Sequence, residues 1–141
     1  MSQYEAICTN EAEKLQKAFQ HLIYSYQKIK SLSTNLDILD EDGLADWESF
    51  SARFSRVADI FLSKYLRARI MIEDPGFSGT MRDFVNFGEK IGLIDDARAW
   101  MAIRELRNIT AHDYPDEAMG KFLERLRHEY SRLLLIKDKI I

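Results

Sequence analysis

The 141-residue chain is poor in the residues that build covalent or metal-based sites, with one cysteine and three histidines. A single cysteine, Cys8, excludes an internal disulfide and any metal site made from a cysteine cluster. The histidines fall on three different predicted helices without His-x3-His or His-Glu-x-x-His spacing, so no metal site is predicted. The glycines of Gly76–Gly79 have no following Lys, so this run is not a phosphate-binding loop. We therefore predict no cofactor.

Long hydrophobic runs are also missing. The longest, such as Leu133–Ile136, are far too short to cross a membrane. Residues 1–14 lack the basic-then-apolar layout of a secretory signal, so we expect a cytoplasmic protein. The net charge of −3 argues against a general nucleic-acid coat protein but leaves room for local basic stripes.

Helical periodicity runs through the chain, without β alternation, internal repeats or a domain linker. A first helix is predicted from an N-cap at Asn10, or alternatively from near Ser2. A second, the longest, is predicted over about residues 44–73 and ends at Asp74-Pro75-Gly76. Their core faces are predicted to comprise Leu15, Phe19, Leu22, Tyr26 and Ile29, and then Trp47, Phe50, Phe54, Val57, Phe61, Tyr65, Ala68 and Ile72.

Three further helices complete the predicted fold. A short helix follows Thr80 and stops at Gly92. The next, capped by Asp95, ends near Ala111–Asp113 because Pro115 disfavours helical backbone at the residue before it. The last runs from Asp116 to about residue 139. Their predicted apolar positions are Met81, Phe84, Val85, Phe87 and Ile91; Ala99, Trp100, Ile103 and Leu106; and Phe122, Leu126, Tyr130 and Leu133. Residues 1–141 are thus predicted to form one all-α domain, a four- to five-helix, mostly antiparallel bundle.

Two basic lines run at helical spacing beside these core faces. The first consists of Arg53, Arg56, Lys64 and Arg67, and the second of Lys121, Arg125, His128 and Arg132. On an ideal helix the four residues of the first line lie within a sector of about 80° around the helix axis. Each line is interpreted either as a solvated flank or as a track for RNA phosphates or an acidic partner.

The most distinctive stretch is Leu-Arg-Asn-Ile-Thr-Ala-His-Asp-Tyr, residues 106–114. It brings together Arg107, Asn108, His112 and Tyr114. Histidine titrates near neutral pH and can move a proton, while arginine presents a permanent forked charge that matches a phosphate. A lone Arg–His pair near a helix end is more often a capping or salt-bridge device, but the Asn, the Tyr and the helical context favour a catalytic interpretation.

This stretch resembles the Arg-x4-His-x-Tyr signature of the HEPN superfamily, and most closely its HepT-like toxins. The resemblance implies a HEPN-like helical dimer with its site at the subunit interface. It implies a metal-independent endoribonuclease in which Arg107 and His112 are catalytic and Asn108 supports them. It also implies a minimal nucleotidyltransferase antitoxin as partner, which in some such pairs adenylylates the motif tyrosine, here Tyr114.

Helical geometry independently favours a homodimer. Residues 107 and 112 are separated by about 140° on one continuous helix, so one chain does not readily form a compact Arg–His pair. Two motif-bearing helix ends at a two-fold axis would supply two of each to one cleft. Two other functions stay open: a non-catalytic, nucleotide-binding subunit of a nucleotidyltransferase, and a helical interaction module without a ligand.

Overall fold

The computed structural model describes the backbone of residues 2–108 and 116–140, with side chains for 2–106 and 118–140. Within these ranges the chain is all-helical, without a β-strand. The helices are α1 (Gln3–Ile29), α2 (Glu41–Ile60), α3 (Leu66–Glu73), α4 (Met81–Lys90), α5 (Ala97–Asn108) and α6 (Asp116–Lys137). A π-helical turn, Phe61–Tyr65, joins α2 directly to α3, and we call this continuous unit (residues 41–73) the central rod. A 3-10 turn, Leu36–Ile38, precedes it.

A capping box sets the start of α1. The Ser2 hydroxyl accepts a hydrogen bond from the backbone N–H of Glu5, and the Glu5 carboxylate accepts one from the N–H of Ser2. These two bonds satisfy N–H groups that a helix terminus otherwise leaves unpaired. The prediction of Asn10 as the N-cap is therefore wrong, because Asn10 lies inside α1. The alternative start near Ser2 is confirmed.

Acidic side chains begin α2 and α5. Asp40 accepts a hydrogen bond from a first-turn N–H of α2 at 2.8 Å, so the rod starts at Glu41, three residues before the predicted start near residue 44. Asp96 accepts one from the N–H of Ala99 at 3.2 Å. The predicted cap, Asp95, is therefore wrong by one residue. Asp95 instead forms an ion pair with Arg132 on α6.

The predicted core faces are largely confirmed. On the central rod, Ile72 is only partly buried, while the other seven predicted core residues are buried. Tyr26, Ala99, Met81, Phe87 and Ile91 are likewise only partly buried, and every other predicted core residue is buried. No helix in the described ranges is long and apolar enough to cross a membrane.

Long-range contacts define how the helices run. On α1, Ser25 hydrogen-bonds with Arg53 of α2, whereas Tyr4 lies in the same cleft as Met71 of α3. Increasing residue number on α1 thus meets decreasing number on the rod, so the two are antiparallel. This packing agrees with the predicted antiparallel arrangement, although the connection, residues 30–40, is eleven residues long.

Helices α5 and α6 are also antiparallel to their neighbours. The Trp100 ring of α5 contacts Phe61 of the rod with a 4.8 Å centroid separation, and Ile94, just before α5, approaches Leu66 beside Gly88. On α6, Tyr130 stacks on Tyr26 of α1 at 3.8 Å, while Arg127 reaches the carbonyl of Ile29. The C-terminal end of α5 therefore lies along the α2 half of the rod.

Candidate functional site

The candidate site falls between α5 and α6. Arg107 and Asn108 occupy the last described turn of α5, and α6 begins at Asp116. The side chains of Arg107 and Asn108 lie outside the described residues, and so do residues 109–115, which include His112 and Tyr114. The Arg–His site, its dimeric assembly and the helix end expected at residues 111–113 therefore stay predictions.

The helix that leads into the motif is held firmly in the core. Trp100 and Ile103 are fully buried and Leu106 is 1% exposed. Close-packed side chains of this kind leave a helix little freedom to shift. The backbone that carries Arg107 therefore continues from a turn that is fixed on the central rod.

Two polar atoms on this helix are buried and unpaired. Trp100 Nε1 and Arg104 Nε have no hydrogen-bond partner within the described part of the chain. Arg104 is half-buried and forms no ion pair there, and it lies three residues before Arg107. The buried Nε donor therefore lacks a partner there, and an acceptor oxygen of a bound anion could satisfy it. No sequence signal distinguishes Arg104, because its neighbours along the chain resemble those of any helix-surface arginine.

The first basic line does not form one surface. Arg53 donates to Ser25 Oγ at 2.6 Å and to the His21 carbonyl at 3.3 Å, so it joins α2 to α1. The π-helical turn lies between Arg56 and Arg67, and its i→i+5 bonding inserts about one residue, a rotation of roughly 100°. The prediction of a single flank is therefore wrong.

The second basic line is divided between two roles. Lys121, Arg125 and His128 are exposed along α6. Arg132 is half-buried and pairs with both Glu129 and Asp95, which connects α6 to the start of α5. The pKa of Arg132 is raised: its hydrogen bond to Glu129 and the charges of these two carboxylates outweigh the opposing effect of burial. Its role is structural, and the exposed part of the line is shorter than predicted.

The remaining candidate groups offer little reactive chemistry. Cys8 is buried within α1, and burial raises the pKa of its thiol, which disfavours the nucleophilic thiolate. His21 is exposed on the same helix. Among the described residues, no group of three or more His, Cys, Asp or Glu side chains is arranged to hold a metal ion.

No protein-family model, curated protein or solved structure matches the chain. The HEPN resemblance therefore depends on the motif residues 106–114 and on their helical setting.

Proposed function

We propose that the chain is a HEPN-like toxin, a metal-independent endoribonuclease that acts as a homodimer. The observation that carries the proposal is the pattern Arg107-x4-His112-x-Tyr114, which begins in the last described turn of a helix anchored in the core. A fixed helix can hold a catalytic group to the positional tolerance that chemistry requires. Arg104, one turn earlier, is half-buried, its Nε has no partner among the described residues, and it adds a second cation suited to a phosphate.

The proposed reaction cleaves RNA at a phosphodiester. His112 removes the proton from a ribose 2′-hydroxyl, whose oxygen attacks the adjacent phosphorus. The bond from phosphorus to the 5′ oxygen breaks, and the leaving oxygen takes a proton from a second histidine or from water. Arg107 stabilises the charged phosphorane, and Asn108 positions the histidine or the RNA backbone. The products carry a 2′,3′-cyclic phosphate and a 5′-hydroxyl.

A two-fold dimer supplies the second histidine. The angular separation of about 140° between residues 107 and 112 on an ideal helix favours a site that is completed by two chains. The partner of the dimer in the cell is a nucleotidyltransferase antitoxin that adenylylates Tyr114. The added phosphate charge would lie beside Arg107 and His112 and exclude RNA.

Growth arrest and RNA cleavage test the catalytic proposal. Expression of the chain should arrest growth, and Arg107→Ala and His112→Ala should each relieve it while helical content is retained. Matched controls are Arg98→Ala, exposed on α5, and His128→Ala, exposed on α6. Both controls should stay toxic. Chelators should not slow cleavage, because the proposed chemistry uses only Arg and His.

Further outcomes separate the proposal from its alternatives. Light scattering should give a dimer, and a monomer of 16.5 kDa at micromolar concentration would contradict the composite site. Toxicity retained in both motif variants would refute the assigned chemistry. An inactive chain that binds nucleotide and a nucleotidyltransferase would instead identify a non-catalytic subunit. Mass spectrometry of the neutralised complex tests Tyr114, since an unmodified residue would indicate steric masking.

A further inference from the structure

A cleft of about 420 Å³ lies between the first turns of α1, the α3 end of the rod and the loop before α4. This volume falls within the range of small-molecule sites. The residues lining the cleft are Tyr4, Ile7, Ser63, Lys64, Arg67, Ala68, Met71, Phe77, Ser78, Gly79 and Phe84. They combine an apolar, aromatic surface with two cations and several hydroxyls.

The aromatic side of the cleft is well ordered by packing. Phe77, from the loop before α4, meets Phe84 and Phe87 edge-to-face, with centroid separations of 4.9 Å in both cases. This geometry is the favourable one for aromatic pairs. Phe77 is half-buried, so part of its ring stays open to the cleft. A flat apolar group could pack against this ring and against Met71 on the opposite helix.

The other side of the cleft carries two cations, Lys64 and Arg67. Lys64 and Arg67 are exposed, and neither forms an ion pair in the described residues. The Arg67 guanidinium lies 4.7 Å from the centre of the Phe84 ring, which fixes it at the cleft wall. The neighbouring carboxylate of Asp83 is engaged in the capping box of Thr80. That carboxylate keeps its negative charge, but the lining itself contains two cations and no Asp or Glu, although the whole chain has a net charge of −3.

Backbone geometry gives an independent reason to single out this cleft. Ser63 and Lys64 belong to the π-helical turn Phe61–Tyr65. Such turns are rare and occur frequently at functional sites, where they redirect side chains. Neither a proline nor a glycine lies in this turn to account for it. The π-helical turn thus contributes two residues to the lining.

We propose that this cleft binds a small organic anion with a flat aromatic ring. The ring packs between Phe77 and Met71, and its carboxylate or phosphate lies against Lys64 and Arg67. The cleft lies away from the described C-terminal end of α5. Because α5 is antiparallel to the rod, Arg107 lies towards the α2 half, whereas the cleft lies along the α3 half.

Titration of the full chain by protein NMR tests the proposal. The probes are 2-naphthoate, 2-naphthyl phosphate and the neutral 2-naphthylmethanol, and the two anions show which headgroup is preferred. Amide shifts should concentrate in residues 63–71 and 77–84. The anions should bind at least about tenfold more tightly than the alcohol, as expected for a charge-assisted contact.

Variants separate the charged and aromatic contributions. Arg67→Gln and Lys64→Gln should each weaken anion binding about tenfold and leave alcohol binding unchanged. Arg56→Gln is the matched control, because Arg56 is exposed on the rod but outside the cleft, and it should change neither. Met71→Trp should fill the cleft and abolish binding of all three probes.

Several outcomes would overturn the proposal. Equal affinity for the alcohol and the anions would show that Lys64 and Arg67 do not bind the anionic group. Equal losses in Arg67→Gln and Arg56→Gln would indicate a diffuse charge effect. Shifts confined to α5 and α6 would place binding elsewhere, and no shifts at millimolar probe would exclude the site. None of these outcomes bears on toxicity or RNA cleavage, so the nuclease proposal is tested separately.

Discussion

Arg127 on α6 should be among the most important polar side chains for stability. Its Nη1 donates to the carbonyls of Leu32 at 2.7 Å and Ile29 at 3.2 Å, at the C-terminal end of α1. Its guanidinium also lies 5.3 Å from the Trp47 ring centre. One side chain therefore binds two carbonyls at the end of α1, of which that of Ile29 also accepts the Leu32 N–H at 2.9 Å, and connects α6, α1 and the central rod.

The expected loss in Arg127→Gln can be worked from these contacts. The charged hydrogen bonds contribute about 1.5 kcal/mol, the lower end of their usual range, because the side chain is 22% exposed. The cation–π contact and the helix dipole contribute about 0.5 kcal/mol each. The pair with Glu124 contributes little, since that carboxylate is 58% exposed. The free energy of unfolding should fall by about 2.5 kcal/mol, which lowers Tm by roughly 8 °C.

Thermal and urea unfolding followed by circular dichroism measures this loss. Arg125→Gln is the matched control, because Arg125 is exposed on the same helix, and it should change stability by less than about 0.5 kcal/mol. Arg127→Lys should be intermediate, since it keeps the charge but loses the planar fork. If Arg127→Gln and Arg125→Gln were equally stable, the clamp at the end of α1 would be energetically unimportant and the reasoning refuted.

Three other changes test local features. Hydrogen bonds from the Thr80 backbone and hydroxyl lower the pKa of Asp83. Their stabilisation is therefore present above about pH 4 and is lost as the pH falls through the lowered pKa. Thr80→Ala should reduce this acid-dependent loss of stability in thermal unfolding. Burial raises the pKa of Tyr130. The stability that this residue contributes is therefore present below about pH 10 and is lost as the pH rises through the raised pKa. Tyr130→Phe should reduce this alkaline loss of stability in thermal unfolding. Gly120→Ala should lower Tm despite the higher helix propensity of Ala, because the new Cβ would lie 3.0 Å from the Thr34 carbonyl oxygen, and a raised Tm would contradict this.

The all-α fold and most of its core could be predicted from the sequence because apolar spacing reports helical burial directly. The stripe from Trp47 to Ala68 is confirmed almost residue by residue. It survives the π-helical turn because Ile60, Leu62 and Leu66 are buried as well, so the rod is covered over a wide face there. The rotation that the π-helical turn introduces would expose part of a narrow apolar stripe, but a face this wide stays buried.

Features that depend on one competing hydrogen bond could not be predicted. Asp95 and Asp96 are both good N-cap residues, and only the position of Arg132 on a distant helix decides which carboxylate caps α5. The π-helical turn has no proline or glycine to signal it. The aryl-lined cleft depends on residues as distant in sequence as Tyr4 and Phe77, so no local pattern indicates it.

Arg104 links the described fold to the motif that the sequence analysis selected. In the sequence it is one of 20 lysines and arginines, and it is singled out only by its buried Nε, which has no partner in the described part of the chain. Folding has already removed the Nε from water, so a phosphate oxygen that accepts a hydrogen bond from it would displace no water from that atom. This donor, unpaired among the described residues, is unfavourable for stability in the absence of a ligand. Arg104→Met should therefore raise Tm while weakening RNA binding, whereas an arginine kept only for packing would lower Tm and leave RNA binding unchanged.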